Sequence, residues 1–385
     1  MPAWRPLMPA LGVMGFLLAV AGCGGGNLPY FPPTANEGSG EDWNQDGGGS
    51  ARRHHRPLGL EPPLRLLWEQ RLKSPPLGGS LVSGPSLLQM TKTAAIHAFD
   101  VRSGRELGTR GYGEIPCAPP AVAGASSEVL VVAEYFPDPL IRGVSRLDGS
   151  TLWSRKTAVC APIVARSDTV IIADETGAVT ALTASDGEAV WELDGDGRYA
   201  SGPSMLGELL IIGDSAGTLR GLRVADGEEQ WSSQLGAGVR SGPAISPRRV
   251  FVGTGEGEMI AVIADTGEEL WRTALGSLLT PGLTLSADLV VAGSVDRHVY
   301  ALDAETGSIV WRFETEGVVR GAPVSTRSVV YCGSGDGFVY ALELDSGELL
   351  WKYRLDGPSV EGLALGPRTL AVATETGSIY VFGRR

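Results

Sequence analysis

The side chains of this 385-residue chain best suited to redox, metal or nucleophilic chemistry are four cysteines and four histidines. Cys117 and Cys160 each stand two residues before a proline, in the same Cys-Ala-Pro context. An oxidising compartment would allow a disulfide between them, but neighbouring strands can lie near the roughly 7 Å Cα limit, so a bond and two buried thiols both remain open. Cys332, beside Tyr331 in an apolar run, reads as a small core residue. His54 and His55 are adjacent in a polar stretch, where such pairs seldom hold a metal tightly. Asp174, Asp214, Asp296, Asp336 and Glu375 fall in hairpin turns, where carboxylates shape the turn. No His-Glu-x-x-His, Walker or Gly-x-Ser-x-Gly pattern occurs, and the Gly-rich string at 253–258 leads into a hairpin, not a helix N-terminus. The sequence therefore assigns no catalytic, cofactor-binding or metal-binding residue, and the expectation is that the protein is not an enzyme.

Binding chemistry is better represented. Arg240 and Arg320 recur at one repeat position, and Arg198, Tyr199 and Glu361 fall on nearby connections. Together these five ring a channel mouth or stand as solvated loop charges. The stretch AEYFPDPLIRG lengthens its repeat and contains Tyr135, Phe136, Leu140 and Ile141, with Pro137 and Pro139 as stiffeners. It predicts an exposed apolar loop that meets a partner or packs against the rim.

Cys23 carries a different chemistry. Arg5 precedes an apolar run, Ala10 to Ala21, too short to span a bilayer as a mature helix. The run ends in Val20-Ala21-Gly22-Cys23, which resembles the lipobox of bacterial lipoproteins. That resemblance implies a signal peptide over 1–22, lipidation of Cys23 and, with Gly24 next to it, sorting to the periplasmic side of the outer membrane. Residues 23–63 are Gly, Pro and polar residues without hydrophobic period, and are expected to be a flexible tether.

The elements that must position these residues repeat. ALDAETGSIVW (301–311) and ALELDSGELLW (341–351) are offset by 40, and the same frame ends at Trp153, Trp191, Trp231 and Trp271, each with Gly four residues earlier. Trp68 stands alone before the first copy, and Gly108 replaces the Trp of that copy. A second marker keeps pace: SGP at 83–85, CAP at 117–119 and 160–162, SGP at 201–203 and 241–243, GAP at 321–323. Between markers lie short β-branched runs, and hairpin glycines recur at 177, 217, 257, 337 and 377, with Arg297 as the exception. Four strands of about 40 residues cannot bury both faces alone, so the copies must close radially. The expected fold is all-β: residues 64–385 as one eight-bladed propeller of four-stranded antiparallel blades, the last completed by the strand around Trp68.

The pattern Ala301-x-Asp303-x-x-Thr306-Gly307-x-x-x-Trp311 resembles the docking repeat of PQQ-type quinoprotein propellers. None of the docking tryptophans precedes Asp, as in the other common propeller signature. The resemblance implies that Trp68, Trp153, Trp191, Trp231, Trp271, Trp311 and Trp351 pack between blades. It covers two kinds of protein. Bare lipid-anchored rings of the BamB type imply a protein partner in outer-membrane assembly and no cofactor; the dehydrogenases imply PQQ with Ca²⁺, a redox or sensory alternative. The latter carry large insertions and a vicinal Cys-Cys pair that this chain lacks. A net charge of −12 sets nucleic acid aside as a partner, and a monomeric ring is expected.

Overall fold

A computed structural model describes residues 42–384, apart from 113–114, 196, 287 and 360–361, so Cys23 and Glu361 lie outside the described residues. Short apolar runs broken by turn residues form strands throughout, and no helix occurs among the described residues. In the fourth unit the strands Ser204–Leu206, Leu209–Gly213, Thr218–Arg223 and Glu229–Gln234 pair antiparallel in sequence order, from the channel outward. Eight such sheets make an eight-bladed propeller, with the innermost strands of blade 1 (Leu81–Ser83) and blade 8 (Ala364–Gly366) side by side. Blade 8 takes its outermost strand, Arg65–Arg71, from the start of the ring, antiparallel to Ser378–Gly383. The chain ends are thereby stitched together as the repeat count required.

Each docking tryptophan does one job. The Trp231 indole lies against Gly267 of the next blade, where a Cβ would come within 2.3 Å, and its Nε1 donates to Ala264 O at 2.8 Å. Trp68, Trp153, Trp191, Trp271 and Trp311 repeat this bond with the next third-to-outermost turn. Trp351 instead stacks edge-on against Phe382. Gly108 leaves the seam between blades 1 and 2 without an indole; there the Arg110 guanidinium donates to Gly149 O and Tyr112 is buried.

Three expectations need correction. The first SGP marker, 83–85, does not precede an innermost strand: Ser83 ends one and Gly84 turns into the next, so Gly79-Ser80 takes the leading place in blade 1. Ile141 is fully buried, because the second and third strands of blade 2 extend to Phe136 and from Leu140, drawing Ile141 into the core. The tether reading of 23–63 fails for residues 42–63, which are packed. Residues 43–56 run around the inside of the channel as a belt, and 57–64 cross the back of the disc to the strand at Arg65. Along that crossing Leu60 is buried and its carbonyl accepts from Tyr331 Oη at 2.6 Å. Polar composition misled because the belt gains its bonds from strands far along the chain, not from a hydrophobic stripe of its own.

Candidate functional site

All innermost strands run from a front face to a back face, and the turns between second and third strands return to the front. Cys117 and Cys160 occupy equivalent heights near the front of blades 2 and 3. The structure bonds them, with Cα atoms 4.7 Å apart. Both thiols are thereby consumed, and the remaining described cysteine, Cys332, is buried with its pKa pushed up to about 12 by desolvation.

Beside the disulfide the front mouth holds a cavity of about 390 Å³ whose walls include Cys160, Asp174, Glu175, Arg198, Tyr199 and Arg240. Of the five residues expected at a channel mouth, the structure brings Arg198, Tyr199 and Arg240 to this cavity; Arg320 does not line it. Arg198 and Arg240 are exposed and Tyr199 is half-buried. Asp174 is partly committed to its own turn, accepting from Thr176 N at 2.9 Å and Ala178 N at 3.0 Å, and its other oxygen accepts from Thr157 Oγ1 at 3.1 Å. Asp214, Asp296 and Asp336 likewise accept turn amides. The turn-forming reading of these carboxylates holds.

The lengthened hairpin of blade 2 borders the cavity. Tyr135 Oη donates to Glu175 Oε2 at 3.0 Å, and this bond raises the phenol pKa. Phe136 is 60% exposed, and its backbone neighbour across the sheet is Ile115, 53% exposed, on an additional strand Ile115–Pro116. The result is an apolar ridge of Phe136 and Ile115 that sequence reading half found: it named the Phe but had no signal for a two-residue strand. Leu140 is partly buried and Ile141 is core, so the exposed apolar surface is smaller than expected. The ridge is rigid at its base, where Arg142 Nη2 donates to the buried Glu134 carboxylate at 2.6 Å and its guanidinium lies 6.0 Å from the Tyr112 ring centroid. An arrangement of this kind presents apolar side chains and two cationic groups on a fixed frame, which suits binding.

The family model described as outer membrane protein assembly factor BamB matches residues 137–262 and 215–383. No curated protein sequence matches. Among solved structures, BamB from Moraxella catarrhalis is similar at 18% identity and TM-score 0.69, covering 83% of this chain and 100% of its own. A quinohemoprotein alcohol dehydrogenase from Pseudomonas putida is similar at 14% identity and TM-score 0.77, covering 92% of this chain and 82% of its own. A computationally designed protein reaches TM-score 0.73 at 16% identity, covering 82% and 98%. At such identities these likenesses speak for the fold alone.

Among the described residues no group of three or more His, Cys, Asp or Glu is placed to hold a metal ion. The disulfide joins two blades, 43 residues apart, and is not vicinal. His54, set in the belt, donates Nδ1–H to the carbonyls of Arg52 (3.2 Å) and Leu283 (3.1 Å), and His298 and His97 pair locally with Asp296 and Glu106.

Proposed function

The chain belongs to the family of outer membrane protein assembly factor BamB, and on that footing we propose that it is a lipid-anchored periplasmic scaffold whose front face holds a protein partner of outer-membrane assembly. Lipidation at Cys23 anchors it, by the lipobox reading, and binding, not catalysis, is its work. The observation that carries the reading is the Phe136–Ile115 ridge standing beside a cavity walled by Arg198, Tyr199 and Arg240. An exposed apolar pair on a rigid hairpin, next to cationic groups, matches the anchor-and-rim make-up of protein interfaces.

A photo-crosslinking amino acid at Phe136 in intact cells tests this. Capture of an outer-membrane assembly component is expected, reduced at least tenfold by Arg198→Glu, which leaves the ring folded. A crosslinker at Phe136 that captures nothing while one on the back face does would place the interface elsewhere. Labelled palmitate entering the wild-type protein but not Cys23→Ser checks the anchor. The dehydrogenase-like fold neighbours motivate one control: a saturable rise in melting temperature with PQQ and Ca²⁺ would replace the scaffold reading by a ligand-binding one.

A further inference from the structure

The belt touches every blade in order. Trp43 exchanges backbone hydrogen bonds with Val82 of blade 1 at 2.7 and 3.0 Å, and Asn44 O accepts from Val122 N of blade 2 at 2.8 Å. The Gln45 amide pairs both ways with the backbone of Ala165 in blade 3, at 2.7 and 2.9 Å. Then Ser50 O, Ala51 O, Arg53 O and His54 O accept in turn from Met205 N, Ile245 N, Leu285 N and Ser325 N, at 2.7 to 3.1 Å. Arg56 Nη1 completes the circuit on Leu365 O of blade 8 at 2.8 Å.

Those eight partners are the same position of eight innermost strands, the second residue of each. An innermost strand is a sheet edge, and its inward N–H groups seek acceptors. A closed ring therefore offers a circle of backbone groups spaced by the fold itself, seven N–H donors and the Leu365 carbonyl, which the belt meets with six backbone carbonyls and the Gln45 and Arg56 side chains.

One side chain adds selectivity. The Arg52 guanidinium, 1% exposed, gives Nε–H to Pro203 O at 2.8 Å, Nη2 to Pro162 O and Ile163 O at 3.0 and 3.2 Å, and Nη1 to the Asp46 carboxylate at 2.7 Å and its carbonyl at 3.3 Å. Five donors meet five acceptors. The ring clears room for these groups: a Cβ on Gly202 would stand 2.6 Å from Arg52 Nη2, and one on Gly282 would stand 2.4 Å from His54 Cε1.

We infer that the channel is a recognition site for a cationic peptide wound in turns, and that residues 43–56 are its resident ligand, held in cis. Pairing through strand edges supplies affinity, as when a peptide adds to a sheet, and the carbonyl cage around Arg52 supplies selectivity. The inference does not depend on the front-face docking site.

The test cuts the ligand from its receptor in the full chain. A protease site replacing Pro57–Gly59, where Pro57 and Gly59 are exposed, is cleaved after folding. The released fragment is expected to co-elute with the ring, and a fluorescent synthetic peptide of residues 42–58 is expected to exchange in. The same peptide with Arg52→Met is expected to compete at least about 100-fold less well, since it abandons a buried charge network. The idea is overturned by a fragment that leaves a still-folded ring, by equal competition from both peptides, or by unfolding of the ring on cleavage, which would make the segment core and not ligand.

Discussion

Arg52 and His54 show how much two side chains in a polar stretch can hold. Burial pulls the Arg52 pKa down while the Asp46 carboxylate opposes it, and the side chain has no route to water. Truncation to Met leaves Asp46 and three carbonyls without their donor. Urea unfolding of Arg52→Met should show a loss of about 3–5 kcal/mol, the usual result of breaking a buried pair, and Arg52→Lys should recover little of it because an ammonium has three donors, not a planar fork. His54 titrates in the opposite sense to a paired histidine. Burial lowers its pKa, with Arg52 acting the same way and Asp46 against, and His55 is lowered by burial and Arg53. A histidine with depressed folded pKa leaves the unfolded chain binding more protons below about pH 6.5. Its stabilising share is therefore complete above that pH and is lost as pH falls below it towards the depressed folded-state value. Melting temperatures from pH 8 to 5 should fall for the wild type and fall less for His54→Gln; equal slopes would remove His54 from the account.

At the scale of the element, the recurrent turn argues its own necessity. Glycines 177, 217, 257, 337 and 377 hold φ between 81° and 98°, and the one departure, Arg297, is forced to 74°. A side chain there costs roughly 1 kcal/mol, and its ion pair with Glu314, 3.5 Å and exposed, returns little. Arg297→Gly should raise stability by up to about 1 kcal/mol, less the extra chain entropy of Gly. Trp231→Ala should lower it by about 3–5 kcal/mol, the scale of large core truncations. These features were readable because Gly-x-x-x-Trp names a turn and the indole that the next turn receives, so one spacing encodes both blade and seam. The belt was not readable for a matching reason. Its partners lie 39 residues away at Val82 and 309 residues away at Leu365, and backbone acceptors can belong to any residue type. Only Trp43 and the run Arg52-Arg53-His54-His55-Arg56, cationic in an acidic chain, hinted at a binding partner. Ile115 escaped because two residues carry no periodicity.

Across the whole molecule the seams are unequal. Six of the eight interfaces carry an indole hydrogen-bonded to the turn of the next blade, Trp68 of blade 8 onto blade 1 and Trp153 through Trp311 from blade 2 to blade 7, and Trp351 meets Phe382 where blade 7 joins blade 8. Blade 2 meets blade 1 without one, through Arg110 and Tyr112 instead. On its other side blade 2 is joined to blade 3 by Trp153 and by the Cys117–Cys160 bond. Reducing that bond relieves the unfolded chain of a 43-residue closed loop, which corresponds to about 2–4 kcal/mol. The loss should not spread evenly, since blade 2 then lacks an indole on one side and a covalent tie on the other. Hydrogen exchange after reduction should therefore quicken first in Ala121–Ala123 and Val129–Phe136, while blades 4 to 7 keep their protection. Because the ridge at Phe136 rides on blade 2, the same reduction should weaken partner capture at Phe136 before the ring unfolds. Uniform exchange over all eight blades, or capture unchanged by reduction, would show that blade 2 is held as firmly as its neighbours.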